Sequence, residues 1–359
     1  MSTAVAPPPD ARLEEALALA RAGRAAEMTR DLSQALDRYG EAQTLLEGLE
    51  PTPLLANLLR WMGSVHRDMG DIDRADRLYL DSLDVAERTG TTAGQAAGLN
   101  CRAVIAQRKG ELDLAVTLYR RAARLAAEAG EIRLAGMIEQ NLGVLANIRG
   151  DLDGALVRYR AALRAFEQVG DDEAVSWVLN NLGMLLNDLG TPAQAEKLFL
   201  DGIEIARRRR DRPMEGTLLT NYAEGLIAMG RWTEAEDVLE EALAIARQGD
   251  NAAREAEALK FVGVLERERG RHALAASHLA DALGIARRVD DPLLVAELMR
   301  ERGDLRLRDG DADGATGDWT DALHGFEALN ATLDADVMRN RLSTLSRGTG
   351  DRPPRAPER

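Results

Sequence analysis

Small and large apolar positions recur along this chain at spacings of three and four, the period of one face of an α-helix. The pattern is punctuated by Gly70, Gly110, Gly150, Gly190, Gly230, Gly270 and Gly310, which stand forty residues apart without insertion or deletion. Five residues after each turn position lies a small side chain: Ala35, Ala75, Ala115, Ala155, Ala195, Ala235, Ala275 and Ala315. Nine after it lies a large one: Tyr39, Tyr79, Tyr119, Tyr159, Phe199, Leu239, Leu279 and Trp319. Seven before it runs a second small column, Gly23, Gly63, Ala103, Gly143, Gly183, Ala223, Gly263 and Gly303. Arg30 replaces the turn glycine in the first unit, yet the other columns hold, which gives eight units. A period of this size marks one supersecondary unit stacked many times. The expected class is all-α, with two antiparallel helices, A and B, in each unit.

Each column has a physical role. The turn glycine takes the left-handed conformation that ends helix A. Asp71, Asp151 and Asp311 follow it and can cap helix B. Small residues face large ones because closely packed axes leave no room for two bulky side chains. Leucine at Gly143 or Gly183 is therefore expected to overpack its helix pair. Arg102 and Arg302 break the rule, since they occupy a column otherwise held by Met62, Leu142, Leu182, Tyr222 and Val262. Either their heads reach water along their stems or the third and eighth units are loosened.

These columns resemble the tetratricopeptide repeat. The segments NLGVLANIRGDLDGALVRYRAALRAF and NNLGMLLNDLGTPAQAEKLFLDGIEIA carry a large-small pair in helix A, a glycine turn, and an Ala, aromatic, Ala series in helix B. At forty residues the unit is longer than the common form of 34. It resembles the longer repeats of kinesin light chains, spindle-polarity adaptors and bacterial regulators with helical sensor arrays. The resemblance implies a right-handed α-solenoid of eight units over residues 10–330, with a capping helix over 331–347. Residues 1–9, which include Pro7, Pro8 and Pro9, and residues 348–359 are expected to be disordered tails. Asp10 is the expected cap of the first helix, and Leu342 lies on the core column of the last.

Composition narrows the chemistry. Among 359 residues the formal charge is −14, which disfavours nucleic acid as a partner. Cys101 is the single cysteine, so there is no internal disulfide and no cysteine-rich metal site. No secretory leader and no membrane span is legible, which makes the cytoplasm the expected location. Phosphate-binding loops, Rossmann glycines and nucleophile elbows are missing, and His66, His272, His278 and His324 are scattered. The expectation is a protein with no catalytic residues, no cofactor and no metal. Asp309–Gly314 opens like a calcium loop, but its twelfth position is Thr320 and it coincides with an interhelix turn. Arg207–Arg210 with Arg212 is the strongest basic run; it reads as a solvated helix end, with an acidic partner as the alternative. Trp232 and Cys101 read as packing residues.

In the resembled family helix A lines the concave side. Residues thirteen, nine, six and two before each turn glycine then share one inner face. Asn141, Asn181 and Asn221 fall on it one unit apart. An amide both donates and accepts, which suits the backbone of a bound peptide; a bond to a neighbouring helix is the other reading. The middle rows carry Met137, Trp177 and Met184, and the later rows carry Glu224, Glu257 and Glu301. The expected ligand is a protein or peptide segment with an apolar part and a basic part. A non-catalytic interaction scaffold is the leading expectation. The alternative is a regulator that senses a ligand or signalling peptide and acts on a separate effector.

Overall fold

The computed structural model describes residues 8–329 and 331–349. The expected tails over 1–7 and 350–359 lie outside the described residues. Among the described residues there are seventeen helices and no strand. They are α1 (Pro9–Met28), α2 (Leu32–Leu46), α3 (Pro53–Asp68), α4 (Ile72–Arg88), α5 (Thr92–Arg108), α6 (Leu112–Glu128), α7 (Ile132–Ile148), α8 (Leu152–Val169) and α9 (Asp172–Asp188). Then follow α10 (Pro192–Arg209), α11 (Arg212–Ala228), α12 (Trp232–Gln248), α13 (Ala252–Glu268), α14 (His272–Arg288), α15 (Pro292–Arg308), α16 (Ala312–Ala328) and α17 (Thr332–Thr349). The chain divides into two compact units, Met1–Leu145 and Ala146–Arg359.

The backbone shows a period of twenty where the side chains show forty. Positive φ recurs at Gly70, Gly90, Gly110, Gly130, Gly150, Gly170 and Gly190, and it ends odd and even helices alike. Arg30, Arg210, Asp250 and Asp290 continue the series with φ of 59°, 57°, 49° and 57°. The left-handed turn is thus imposed by the helix pairing even where a side chain makes it unfavourable. Asp71, Asp151 and Asp311 cap α4, α8 and α16, each accepting from the N–H three residues on. Asp171, Asp211, Asn251 and Asp291 do the same for the odd helices α9, α11, α13 and α15. Asp10 is not a cap. α1 begins on Pro9, whose fixed φ already suits the first helical position, so Asp10 falls inside the first turn.

The large column is the core of both units. Tyr39, Tyr79, Tyr119 and Phe199 are fully buried. A Cβ built on Gly63 would lie 2.7 Å from the Tyr79 ring, one on Gly183 would lie 2.5 Å from Phe199, and one on Gly303 would lie 2.6 Å from Trp319. These rings lie where a side chain on the facing helix would otherwise stand. Burial pushes the Tyr79 and Tyr159 hydroxyls up to about 12, so both stay neutral. Arg102 and Arg302 are neither loosened nor free. Arg102 Nε donates to Asp76 at 3.3 Å. Arg302 makes a two-pronged pair with the buried Asp318, Nε to Oδ2 at 2.8 Å and Nη2 to Oδ1 at 2.5 Å.

Within unit one, α1 approaches α3 and α3 approaches α5; within unit two, α9 approaches α11, α11 approaches α13, and α13 approaches α15. No pair of even-numbered helices within either unit approaches to the same extent among the described residues. The odd helices are therefore on the inside of the curve and the even ones on the outside. In unit two α17 lies on α16, with Ala335 and Met338 buried and Leu342 packed beside them. The helix runs through Thr349, two residues past the expected end, since glycine permits a turn without forcing one. Unit two winds far enough that a Cβ on Gly150 would lie 3.3 Å from Leu333 at the start of α17.

Candidate functional site

The inner face of unit one is a cleft of about 480 Å3 between α3, α5 and the start of α7, lined by Arg60, Trp61, Ala97, Asn100 and Met137 among others. Trp61 is its platform. Tyr39 stacks on it with centroids 5.9 Å apart, and the Arg24 and Arg60 guanidinium groups stand 5.6 and 5.7 Å from its centre. Asn141 donates through Nδ2 to Asn100 Oδ1 at 3.2 Å. That bond fixes the amide and leaves its own oxygen available as an acceptor. Met137 is exposed. Cys101 is half-buried between Arg60 and Tyr79, where burial pushes its thiol up and away from nucleophilic chemistry.

Unit two presents a different inner surface. Trp177 on α9 is 41% exposed and Met184, two turns on, is 40% exposed, so two large apolar side chains of one helix stand open to water. Asn221 donates to Asn180 Oδ1 at 2.8 Å. Asn181 is half-buried and makes no side-chain hydrogen bond among the described residues. Asn187, which the column pattern did not single out, donates to the Asn221 carbonyl at 3.3 Å and leaves its Oδ1 buried without a partner.

The acid-rich rows are not a bare acidic strip. Lys260 pairs with Glu297 at 2.5 Å, Arg267 with Glu301 at 2.9 Å, and Arg300 with Glu301 and Asp334 at 3.2 and 2.9 Å. Arg254 holds Glu257 at 2.6 Å, and Arg308 holds Glu268 at 2.8 Å. Arg341 of α17 reaches Asp304. Arginines and a lysine of the same or neighbouring helices thus neutralise most of the acids. Glu224 is the exception. It is half-buried in a cleft of about 390 Å3 with Lys260, Phe261, Arg267 and Glu301, and it makes no hydrogen bond or ion pair among the described residues. Burial pushes its carboxyl up, Lys260 opposes, and Asp188 adds to the rise.

That shift has a definite sign. A carboxyl raised in the folded state binds its proton more tightly there, so its burden on stability is full above the folded value and vanishes below the ordinary carboxylate range. Glu224→Gln is expected to raise the melting temperature at pH 7.5, with the gain shrinking as pH falls through the carboxylate range. A melting temperature lowered at every pH would show that Glu224 has a stabilising partner.

Several sequence candidates find plainer roles. Arg207 pairs with Glu215 and Glu241, Arg208 with Asp172, Arg209 with Glu173 and Arg212 with Glu215. The basic run therefore ties α10 to α9, α11 and α12. Asp311 caps α16, and Asp309 meets His272. Trp232 starts α12 at 40% exposure and is less packed than its column suggested. No helix among the described residues is long and apolar enough to cross a membrane.

Antiparallel helix pairs, left-handed turns and an inner face built from alternate helices define an α-solenoid assembled from repeated hairpins. A tetratricopeptide repeat model matches residues 54–128, 134–208 and 214–288, more than half of the chain, and the protein belongs to the tetratricopeptide repeat family. Its fold is similar to that of a Rap protein solved in complex with competence and sporulation factor (15% identity, 96% of this chain and 98% of that one, TM-score 0.59). It is also similar to the Rap conjugation gene regulator of plasmid pLS20 in complex with the Phr* peptide (17% identity, 81% and 79%, TM-score 0.59). A third similar structure is a signal transduction ATPase with numerous domains and a tetratricopeptide repeat sensor from Pyrococcus horikoshii (15% identity, TM-score 0.63). The match covers 90% of this chain and 47% of that one. No curated protein matches the sequence.

Proposed function

We propose that this protein is a non-catalytic interaction scaffold that holds a partner polypeptide along its inner helices. The observation that carries the reading is the α9–α11 surface. There the exposed Trp177 and Met184 lie on the same helix as Asn181, and α11 contributes Glu224; among the described residues the Asn181 amide has no hydrogen-bond partner and Glu224 no ion pair. Apolar side chains kept in water and a carboxylate kept without a counter-ion both oppose stability. Such a combination suits an extended segment with an apolar side chain for Trp177 and Met184, a backbone for Asn181 and Asn221, and a basic group for Glu224. Glu257 and Glu301, already paired, shape the electrostatics around that group.

A second reading, in which a signalling peptide changes the curvature of the array, is favoured by the peptide complexes among the similar structures. Random dodecapeptides selected on phage against the wild-type protein supply a ligand for both readings. In Asn181→Ala/Asn221→Ala the affinity is expected to fall about ten- to a hundredfold, as two lost hydrogen bonds require, with circular dichroism unchanged. Unaltered affinity in a folded variant would remove the amides from the site. X-ray scattering then separates the readings: the scaffold keeps its radius of gyration when the peptide binds, and the sensor changes it.

A further inference from the structure

Where one hairpin meets the next, a position near the end of the even helix faces one in the first turn of the following odd helix. The odd helix supplies a large apolar side chain there at Leu54, Leu134, Met214 and Leu294. Where it does not, at Ala174 and Asp334, the even helix supplies Phe166 or Phe326, both fully buried. Ala86 and Gly94 are both small, and there the helices close up: a Cβ on Gly94 would lie 3.1 Å from that of Ala86. One junction has no such plug. Ala246 stands opposite Arg254, whose guanidinium is held at 2.6 Å by Glu257 on its own helix. The space left is a cavity of about 360 Å3 between α11, α12 and α13, walled by Pro213, Gly216, Ala242, Ile245 and Ala246, with Arg212 and Arg254 also lining it. None of its lining residues lies on the inner rows that carry Asn221, Glu224 and Glu257. The charges around it are balanced. Arg207 and Arg212 share Glu215, Arg207 also meets Glu241, and Arg254 meets Glu257.

We infer that this cavity binds a small uncharged molecule with a phenyl-sized or branched aliphatic group, which takes the place that Phe166, Met214 and Leu294 fill at other junctions. The volume falls in the range of roughly 300–1,000 Å3 usual for small-molecule sites. The walls are mostly apolar, so burying such a group there removes apolar surface from water on both sides. A carboxylate or an ammonium would have to break one of the existing ion pairs or enter the apolar walls unpaired. The ligand would touch α11, α12 and α13 together, and so tie the sixth hairpin to the seventh. An aromatic side chain of a partner has the same chemistry, but the cavity lies off the inner rows where a partner is proposed to run, which favours the free molecule.

The test uses the full chain, with phenol, indole, benzyl alcohol and cyclohexanol as uncharged probes and benzoate and benzylamine as charged ones. Saturation-transfer NMR and the melting temperature read the binding. Wild type is expected to bind at least one uncharged probe saturably, more tightly than either charged one, and to melt higher in its presence. Ala246→Phe copies Phe166, and Arg254→Leu copies Leu294. Each is expected to weaken that probe about tenfold or more, as exclusion of one buried apolar group requires. Each fills the gap from within, so at least one is expected to melt no lower than wild type. Arg254→Leu keeps the test decisive where Ala246→Phe misfolds. No saturable binding by wild type, equal binding of the charged probes, undiminished binding by a folded variant, or a fall in melting temperature in both would overturn the proposal and leave the inner-face reading standing. A phage-selected peptide that competes with the probe and loses its affinity in a folded Ala246→Phe would also overturn it, since the occupant would then be a partner's side chain.

Discussion

Gly183→Leu is expected to destabilise unit two by about 3 kcal/mol or more, the upper end of what overpacking costs. The glycine has no slack: even a Cβ there would lie 2.5 Å from Cζ of Phe199, which is itself fully buried. The repeat also names the cure. Ala223 and Leu239 occupy the same two columns one unit later and share one core. Gly183→Ala combined with Phe199→Leu copies that pair and is expected to recover most of the loss seen in Gly183→Ala alone. Chemical denaturation of the four proteins measures this as a coupling between neighbouring sites. Additive losses would mean that the two columns do not share one packing space.

The second large effect is expected at Lys260. The residue is 8% exposed, and its ammonium is held by Glu297 at 2.5 Å over the Phe261 ring. Lys260→Ala strands Glu297 beside Glu301 and Glu224, and should cost about 3 kcal/mol, the low end for a broken buried pair because Glu297 is partly exposed. Replacing both partners together, Lys260→Met with Glu297→Leu, is expected to be near neutral or stabilising. The pH dependence follows from Glu297, whose carboxyl is held down chiefly by Lys260 against the effect of burial. A depressed carboxyl adds stability above its unfolded value and loses it as pH falls through the folded one. Wild type should therefore lose stability relative to the double variant as pH falls, so that the two diverge in acid, and urea titrations at neutral and low pH measure it.

Much of the fold was legible because its signal is periodic and local. A small residue five after each turn, a large one nine after and a second small one seven before form one packing motif written along the chain. The twenty-residue backbone period was less visible because Arg210, Asp250 and Asp290 stand where Gly90, Gly130 and Gly170 stand earlier. The ion pairs were missed for a different reason. They join neighbouring hairpins at offsets of thirty-four to thirty-seven residues, as in Arg267–Glu301 and Lys260–Glu297. Rows read down a column at an offset of forty show acids facing acids. Reading three to six residues short of the repeat would have paired them. Of the amides, Asn141 and Asn221 turn out to donate to Asn100 and Asn180, a bond that depends on helix separation rather than on spacing.

The proposed contact surface is the face of the inner helices. Its most direct test places the photocrosslinker benzoylphenylalanine at Trp177 or Met184, and for comparison at Val157 or Leu200 on the outer helices, where exposed apolar side chains also stand. Each protein is irradiated with a phage-selected peptide. Adducts at 177 and 184 with none at 157 and 200 are the predicted result. Adducts concentrated at 157 and 200 would contradict it.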